Sequence, residues 1–568
     1  MKYTLLITSI AACVIGCVPE GISKPAASHT QQHLDVSIDT DKSIGVNHRF
    51  WTVRVLTHQD RFTNPGFLEK FKETHPFSET INCVRVLGGR TDNLNQWYQG
   101  MNPDGTIKTD FTELMPRLRA LLDVGFKPGI VLDNVPHAMS KDRVMHKYGN
   151  SNAPDDFNVW HAYITAFVNA LVAEFGMDEV QTWRYRVGTE PDLFPGHWVG
   201  TREQYYEHYA VTVDALTRII PNADIGPGNI LNPAKPPPGS KRKKTTMQLT
   251  GDGKGWGVTM IDYLAKEKPH ATFFAISHYS HVNEPIQLEE SVRRVRERLD
   301  LFPEISDIPL EIHESGILAD ENKRRINGND GSEWGASWYA AIADIAYREN
   351  IREIYDWGYT AADVPTPRQL VIEMLDTMAG GERLALRANG DGVGKSGVIA
   401  VRKDTSIFLL LYNHQAPRES NVQQSMTINL QGEAILASTQ WAWDEWTVDK
   451  RHGAWIHEFY RDCEAAGVKL LPDAPHLGIH FHQRYSYGWR EVLKENLGQY
   501  HTLARLQKTS TMQPISSTDG TLMLNFELPA HTVKLIELKA VETPVAQEKQ
   551  EAQETQSSLA SRIMRPRL

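Results

Sequence analysis

Residues 183–192, WRYRVGTEPD, decide which fold the sequence predicts. Aromatic and β-branched side chains at Trp183, Tyr185 and Val187 alternate with polar ones, as in a strand with one buried face. The following Gly-Thr-Glu-Pro-Asp has the composition of a turn, which ends the strand. The sequence therefore predicts a short strand with Glu190 just beyond its C-terminal end.

Seven further segments have the composition of short buried strands. Together with the first, the predicted strands are residues 50–56, 82–87, 127–132, 183–187, 223–226, 272–277, 308–313 and 353–357. Between them, apolar residues recur at three- and four-residue steps, for example at Trp160, Ile164 and Phe167, which marks the buried face of a helix. Strands that alternate with helices predict parallel βα units. Eight such units predict an α/β fold, a single (β/α)8 TIM barrel over residues 34–378.

The pattern changes after residue 378 to short alternating apolar runs, as in residues 397–401, 407–412 and 533–538. Strands without helices between them predict a C-terminal antiparallel β-sandwich domain over residues 379–540. This domain contains an inserted helical segment around residues 457–466. Residues 541–568 are rich in Glu and Gln and poor in apolar side chains, so they are predicted to be a disordered tail.

The N-terminal residues 1–17 predict export. One lysine precedes a short apolar run that ends at Cys17, which is typical of a signal peptide rather than a membrane helix. The sequence VIGC at residues 14–17 resembles the bacterial lipobox, in which the cysteine is lipidated, although an ordinary secretory signal is the alternative. We therefore expect a membrane-anchored lipoprotein in the periplasm or at the cell surface. Its only membrane contact is then the lipid on Cys17, followed by a flexible tether at residues 18–33.

Composition excludes several other classes of protein. The 568 residues carry a formal charge of -10, which gives no reason to expect a nucleic-acid partner. Of the 4 cysteines, Cys83 and Cys463 remain after processing and are predicted to be buried thiols. Zinc sites usually draw two ligands from a short local pair, which the cysteine spacing does not provide. We expect neither a metal nor an organic cofactor, and the oligomeric state stays open.

A second glutamate, Glu314, lies in LEIHESG at residues 310–316, at the end of the seventh predicted strand. In TIM barrels the catalytic groups lie at the C-terminal ends of the strands, so Glu190 and Glu314 are expected on one face. Paired carboxyl groups suit the cleavage of glycosidic bonds, because one donates a proton to the leaving oxygen while the other attacks the anomeric carbon. Glu311 lies within the strand and is interpreted as structural.

These segments resemble glycoside hydrolase family 39, which contains β-xylosidases and α-L-iduronidases with retaining chemistry. The similarity follows the family's strand order, in residues 84–88, 125–136, 183–198, 205–227, 277–279 and 355–357. It implies a retaining glycoside hydrolase with Glu190 as general acid/base and Glu314 as nucleophile. The predicted sandwich likewise resembles the family's accessory β domain.

The resemblance also implies which residues neighbour the sugar in the cleavage subsite, namely Arg85, His278, Tyr279 and Trp357. For Arg85 and Trp357 the alternatives are charge pairing in the core and barrel packing.

The sequence departs from the family pattern at two positions. Thr189 stands where the family usually has an asparagine that binds the sugar 2-hydroxyl, a contact that strengthens in the transition state. Gly88 and Gly89 stand where the family usually has a histidine. Both changes predict extra room at this edge of the substrate-binding site. We therefore expect a sugar with a substituent or an unusual ring rather than a plain β-xyloside.

A basic run, Lys241-Arg242-Lys243-Lys244, follows the fifth predicted strand and so falls on the predicted catalytic face. It indicates either a site for an anionic glycan, uronic or sulfated, or a solvated loop. The expected partner is a polysaccharide or oligosaccharide substrate. Two alternatives stay open, a catalytically silent glycan-binding lipoprotein and endo-acting rather than exo-acting hydrolysis.

Overall fold

The computed structural model describes residues 30–541, apart from residues 58, 89–96, 143–144, 147, 232–254, 282–284, 320–324, 329, 357–359, 473, 475–477 and 479–480. Several sequence predictions therefore lie outside the described residues. They concern Cys17, Gly89, the basic run at residues 241–244, Trp357, and the tail beyond residue 541.

In chain order, the described strands are β1 (Gln31–Val46), β2 (Val53–Leu56), β3 (Thr80–Cys83), β4 (Tyr98–Met101), β5 (Ile107–Thr109), β6 (Lys127–Val131), β7 (Met145–His146), β8 (Gly149–Asn150), β9 (Arg184–Val187), β10 (Asp224–Pro227), β11 (Phe274–His281), β12 (Leu310–Ala319), β13 (Arg325–Gly328), β14 (Ile351–Asp356), β15 (Thr360–Ala361), β16 (Val364–Pro365), β17 (Glu382–Gly390), β18 (Ser396–Lys403), β19 (Ser406–Asn413), β20 (Gln423–Gln431), β21 (Gln440–Val448), β22 (Gln507–Ser516), β23 (Thr521–Pro529) and β24 (Thr532–Ala540). The α-helices are α1 (Phe67–Thr74), α2 (Leu114–Asp123), α3 (Phe157–Phe175), α4 (Met177–Val180), α5 (Arg202–Thr217), α6 (Trp256–Glu267), α7 (Ile286–Leu299), α8 (Glu333–Arg348), α9 (Pro367–Met378), α10 (Glu433–Ala437), α11 (Ile456–Ala465) and α12 (Trp489–Leu503).

The first sheet consists of parallel strands in the order β10-β9-β6-β3-β2-β14-β12-β11, with β13 added antiparallel to β12. Each strand predicted for the barrel overlaps one of these parallel strands, and neighbours in sequence are neighbours in the sheet. The two outer strands also approach each other, because Ile230, just after β10, pairs with Ile276 of β11. The result is a large and nearly closed sheet.

Both faces of this sheet carry buried apolar side chains, as expected for parallel strands that are covered on both sides. On β14, Ile354 belongs to the large core cluster that includes the helices. Its neighbour Tyr355 belongs to a separate small cluster with valines of β2, such as Val53 and Val55. Since successive side chains in a strand point to opposite faces, the two clusters lie on the two sides of the sheet.

The second sheet has the strand order β22-β21-β24-β19-β18-β17-β1-β20-β23. Its pairs are antiparallel apart from β1 and β20, which run parallel. Its apolar cluster combines Ile38, Leu409 and Leu524, which come from strands far apart in this order. The two halves of the sheet therefore share one core.

The position of β1 differs from the sequence prediction, which gave residues 18–33 to a tether and residues from 34 onward to the barrel. The structure places Gln31–Val46 in the second sheet, paired with β17 and β20. The physical reason is the alternation of buried Leu34, Val36 and Ile38 with exposed polar residues, which suits a strand with one buried face. The remaining domain boundaries stay predictions.

The helical insertion between β21 and β22 contains α11, which covers most of the predicted helical stretch at residues 457–466. Its apolar cluster includes Ala361 and Val364, which follow β14, and Trp455 Nε1 donates a hydrogen bond of 2.8 Å to the Pro365 carbonyl oxygen. The insertion therefore packs against the segment that follows the last strand of the first sheet. Cys83 and Cys463 are free and buried, as predicted. In the described part of the chain, no helix has the length and apolar character needed to cross a membrane.

Candidate active site

Glu190 lies in the turn after β9, and its side chain is buried. Its backbone has φ 41°, in the left-handed region that residues other than glycine rarely adopt. Such conformations cost free energy and occur where the surrounding structure imposes them, often at functional sites. The Leu193 backbone N–H donates a hydrogen bond of 2.8 Å to the Glu190 carbonyl oxygen. The turn therefore holds this glutamate at the C-terminal end of a parallel strand, as predicted.

The two carboxyl oxygens of Glu190 have different partners. The Ser277 hydroxyl donates a hydrogen bond of 2.7 Å to Oε1. On the other side, His197 Nδ1 lies 3.6 Å from Oε2. The Ser277 hydroxyl oxygen in turn accepts a hydrogen bond of 2.7 Å from Asn229 Nδ2.

Burial raises the pKa of the Glu190 carboxyl well above its ordinary value, and the negative charge of Glu314 raises it further. The hydrogen bond from Ser277 acts in the opposite direction and lowers this pKa. Ser277 and Tyr279, two residues apart on β11, contact Glu190 and Glu314 respectively, so both carboxyl groups lie at the end of this strand. A glutamate that keeps its proton near neutral pH can act as a general acid.

Glu314 lies on β12, and its side chain is buried. The Tyr279 hydroxyl donates a short hydrogen bond to Glu314 Oε2. Burial, together with the charges of Glu314 and Glu190, holds the pKa of Tyr279 well above its usual value, so this hydroxyl keeps its proton and remains a donor. The Tyr279 hydroxyl thereby fixes the orientation of the Glu314 carboxyl.

The alternation of β11 decides which of its side chains reach the site. Ser277 and Tyr279 contact the two glutamates, so both point to the same face of the strand. These residues pair with residues 314–316 of β12 without a register shift among them. His278 lies between them and points to the opposite face. The structure therefore places Ser277 beside Glu190, a contact that the sequence did not predict.

Thr189 is buried and fully engaged with protein groups. Its hydroxyl donates a hydrogen bond of 2.7 Å to Asp133 Oδ2 and accepts one of 2.9 Å from Arg186 Nη2. The other oxygen of Asp133 accepts a hydrogen bond from the backbone N–H of Arg85. Burial raises the pKa of Asp133, while the positive charge of Arg85 lowers it. The Thr189 hydroxyl thus links the turn of Glu190 to the end of β6.

The position of Gly88 does not supply the room that the sequence predicted there. A Cβ atom on Gly88 would lie 3.1 Å from the Asn134 carbonyl oxygen. Such a contact is tighter than normal van der Waals packing, so a side chain at this position would require the Asn134 backbone to shift.

Arg85 is connected to the site through Tyr148. Its Nε donates a hydrogen bond of 3.2 Å to the Tyr148 carbonyl oxygen, and its guanidinium lies 4.8 Å from the centre of the Tyr148 ring. The same ring lies 4.5 Å from the His197 ring, which neighbours Glu190. Arg85, Asp133, Thr189 and His197 also line one cavity next to the Glu190 turn.

Glu311 is structural, as interpreted from its place within the strand. It is completely buried and forms ion pairs with Arg184, at 2.6 Å, and with Arg352. Burial alone would raise its pKa, but the charge of Arg184, the hydrogen bond from His313 and the charge of Arg352 hold it below its ordinary value. Glu311 is therefore a buried and ionised glutamate of β12. None of its described hydrogen bonds joins it to Glu190 or Glu314.

Sequence reasoning did not identify Asp133 or Asn229 as part of the site. Both follow predicted strands, at residues 127–132 and 223–226. Polar side chains just beyond the C-terminal ends of parallel strands are the signal that could have found them.

A protein-family model described as Glycosyl hydrolases family 39 matches residues 34–320, about half of the chain. The chain is similar to an alpha-1,4-L-rhamnosidase from Formosa agariphila, with 25% identity over 326 residues, and the match covers 53% of this chain and 62% of that enzyme. It is also similar to a beta-xylosidase from Caldicellulosiruptor saccharolyticus, with 24% identity over 196 residues, which cover 34% of this chain and 40% of that enzyme. The chain thus spans less than two thirds of the length of these curated relatives.

Among solved structures, the chain is similar to a monomeric beta-xylosidase from Caulobacter crescentus CB15. The TM-score is 0.63 and the sequence identity 18%, and the match covers 89% of this chain and 100% of that one. At this identity the similarity shows the fold alone. It extends over both sheets, since it includes most of the chain.

Proposed function

The chain belongs to glycoside hydrolase family 39, and on this premise we propose that it is a retaining glycoside hydrolase with Glu190 as general acid/base and Glu314 as nucleophile. One observation carries the assignment of the two roles. Glu190 is buried with a pKa held far above its ordinary value, whereas Glu314 accepts a hydrogen bond from a tyrosine that keeps its proton. Unequal surroundings of this kind are what acid and nucleophile require.

In the first half of the reaction, Glu190 donates its proton to the glycosidic oxygen while a Glu314 oxygen attacks the anomeric carbon. The bond from this carbon to the leaving oxygen breaks, and a covalent glycosyl ester forms on Glu314. The ester carries no negative charge, so one of the causes that raise the Glu190 pKa disappears. Glu190 is then able to take a proton from water, whose oxygen displaces Glu314 from the sugar.

We propose that the first sheet is a (β/α)8 barrel and the second a β-sandwich. The order of the parallel strands, the pairing of Ile230 with Ile276, and the helices that alternate with the strands support the barrel. The core shared by distant strands of the second sheet supports the sandwich. In this arrangement both glutamates lie at the C-terminal mouth of the barrel.

The substrate that we propose is a polysaccharide or oligosaccharide. The relatives named as rhamnosidase and xylosidase support a glycan, and the basic run at residues 241–244 favours one with uronic or sulfated sugars. Assays on neutral, uronic and sulfated oligosaccharides test the charge preference, and the sizes of the products distinguish exo-acting from endo-acting cleavage. Equal rates on neutral and anionic glycans would contradict an anionic preference.

We also propose that the protein is exported as a bacterial lipoprotein anchored through Cys17, supported by the pattern of residues 1–17. Metabolic labelling with a fatty acid should mark the wild type and not Cys17→Ser. Equal labelling of the two would contradict the anchor.

Two variants test the assigned roles. Glu190→Gln should slow a substrate with a poor leaving group by about 100-fold or more, but should slow formation of the glycosyl ester from an activated aryl glycoside much less, because that leaving group needs little protonation. Glu314→Gln should abolish turnover of both substrates, since no glycosyl ester can form. The measurement is the pre-steady-state release of the leaving group. Equal losses for Glu190→Gln on both substrates would contradict its role as acid.

A further inference from the structure

A chain of buried hydrogen bonds joins three successive strand ends of the first sheet. Asn229, after β10, donates to the Ser277 hydroxyl of β11, and Ser277 donates to Glu190 after β9, each bond measuring 2.7 Å. All three residues are at most 4% exposed. Water therefore competes little for these hydrogen bonds, and their effect on the carboxyl group is strong.

The backbone fixes the register of this hydrogen-bond chain. The Ile230 N–H donates a hydrogen bond of 3.0 Å to the Ala275 carbonyl, and the Ser277 N–H donates one of 2.9 Å to the Ile230 carbonyl. Asp192 ties the Glu190 turn to the same segment, because its Oδ1 accepts a hydrogen bond of 2.9 Å from the Leu231 N–H. The backbone segments that carry the three residues are thus held together by these contacts.

The direction of donation along these hydrogen bonds follows from the donors and acceptors that the side chains carry. A serine hydroxyl has one proton to donate and can accept through its lone pairs. The Asn229 amide occupies a lone pair of Ser277 and offers it no acceptor in this contact, so the Ser277 proton points to Glu190 Oε1. Because Oε1 already accepts the Ser277 proton, the carboxyl proton of neutral Glu190 is favoured on Oε2 instead.

We propose that Ser277, held by Asn229, is a positioning residue for the acid/base, which fixes the Glu190 carboxyl so that Oε2 carries the proton given to the glycosidic oxygen. This inference rests on the proposed function for the role of Glu190. Oε2 is the oxygen that lies on the side of His197. Ser277 acts through Glu190 and does not need to touch the substrate.

The same hydrogen bond supports the second half of the reaction, in which Glu190 must be ionised. With Glu314 esterified, burial and the charge of Asp192 still disfavour the carboxylate, and Ser277 donates to it directly. The charged or titratable groups around Glu190 are Glu314, Asp192, Arg186, His197 and Tyr279. Ser277 is neutral, so its removal changes none of these charges.

The test is an infrared titration of the Glu190 carboxyl, taken as the difference between each protein and the same protein with Glu190→Gln. Ser277→Ala should raise the midpoint of this titration by about one to two pH units, because a hydrogen bond to a charged group is lost. Ser277→Thr keeps the hydroxyl and should restore the wild-type midpoint. Asn229→Ala should also raise the midpoint, though less, since the Ser277 proton is then free to turn away.

A matched control is Ser337→Ala, which removes a buried hydroxyl that donates a hydrogen bond of 3.0 Å to the Trp334 carbonyl on α8. It should leave the titration unchanged. The proposal is overturned if Ser277→Ala or Asn229→Ala, shown to be folded by circular dichroism, titrates like the wild type. It is also overturned if Ser337→Ala shifts the midpoint as much as Ser277→Ala.

Kinetics provide a second readout. In Ser277→Ala, the alkaline limb of the pH profile of kcat/KM should move upward with the titration midpoint, and kcat for an activated aryl glycoside should fall by about tenfold near neutral pH. The titration needs no substrate, so it decides the role of Ser277 even if no glycoside is hydrolysed. Absence of turnover in the wild type would instead contradict the proposed function.

Discussion

The two carboxyl groups of the site show how neighbours divide roles between identical side chains. Glu190 has a serine, a histidine and a second carboxyl around it, and burial in this setting favours its neutral form. Glu314 instead accepts a hydrogen bond from the Tyr279 hydroxyl, which keeps its proton. On the proposed assignment, the roles of the two glutamates therefore depend on their contacts with Ser277 and Tyr279.

Thr189 shows the limit of an inference from a single substitution. A threonine in place of an asparagine predicted open space beside the sugar. In the structure its hydroxyl bonds to Asp133 and Arg186, so it serves the protein's own network. An unusual sugar at this edge is therefore not supported by Thr189 itself.

A stability prediction at the residue scale concerns Glu353 of β14. Burial and the charge of Glu311 raise its pKa to about 8. An unfolded chain loses this proton near pH ~4.3, so between that pH and about 8 folding takes up a proton, and the contribution of Glu353 to stability falls as pH rises. Glu353→Gln keeps the neutral form. It should therefore gain melting temperature relative to the wild type as pH rises from about 5 to about 8.

Differential scanning calorimetry at several pH values measures this gain. The matched control is Glu419→Gln, which changes an exposed glutamate and should show no such trend. A difference between Glu353→Gln and the wild type that stays constant with pH would contradict the raised pKa.

At the scale of elements, β11 shows why a motif in sequence does not by itself assign a site. The resemblance singled out residues 277–279 and, within them, His278 and Tyr279. In the structure Ser277 and Tyr279 contact the two glutamates, so both lie on one face of the strand, and Ser277 was not singled out. A period of two along the strand was enough to predict that Ser277 lies on the same face as Tyr279.

The N-terminal strand β1 gives a second prediction. Ile38 is 2% exposed and pairs with Leu386 of β17 and Leu430 of β20. Ile38→Ala should lower the free energy of unfolding by about 2–5 kcal/mol, because it removes buried methyl groups and leaves a cavity. Denaturant unfolding, followed by circular dichroism, measures the change.

The matched control lies on the same strand, where Ile44 is 50% exposed. Ile44→Ala should change the free energy of unfolding by about 0.5 kcal/mol or less. Similar losses for Ile38→Ala and Ile44→Ala would mean that β1 is not a buried strand of the second sheet.

At the scale of the whole molecule, periodicity predicted the parallel strands well because each carries its own local pattern of apolar residues. Local alternation can identify Gln31–Val46 as a strand, but its partners lie more than 300 residues away and have no local signature, so its place in the second sheet could not be predicted. The same is true of the site: Glu190 and Glu314 could be predicted from strand ends, whereas the contacts of Asn229 and Asp133 depend on how distant loops meet.

The central claim is that Glu314 forms a covalent bond to the sugar, and trapping of that bond tests it most directly. The protein is incubated with the 2-deoxy-2-fluoro derivative of an aryl glycoside that it hydrolyses, and is then digested and analysed by mass spectrometry. The retaining mechanism predicts one added sugar on the peptide that contains Glu314, and no adduct in Glu314→Gln. An adduct on a different residue, or hydrolysis with inversion of the anomeric carbon and no adduct, would contradict the account.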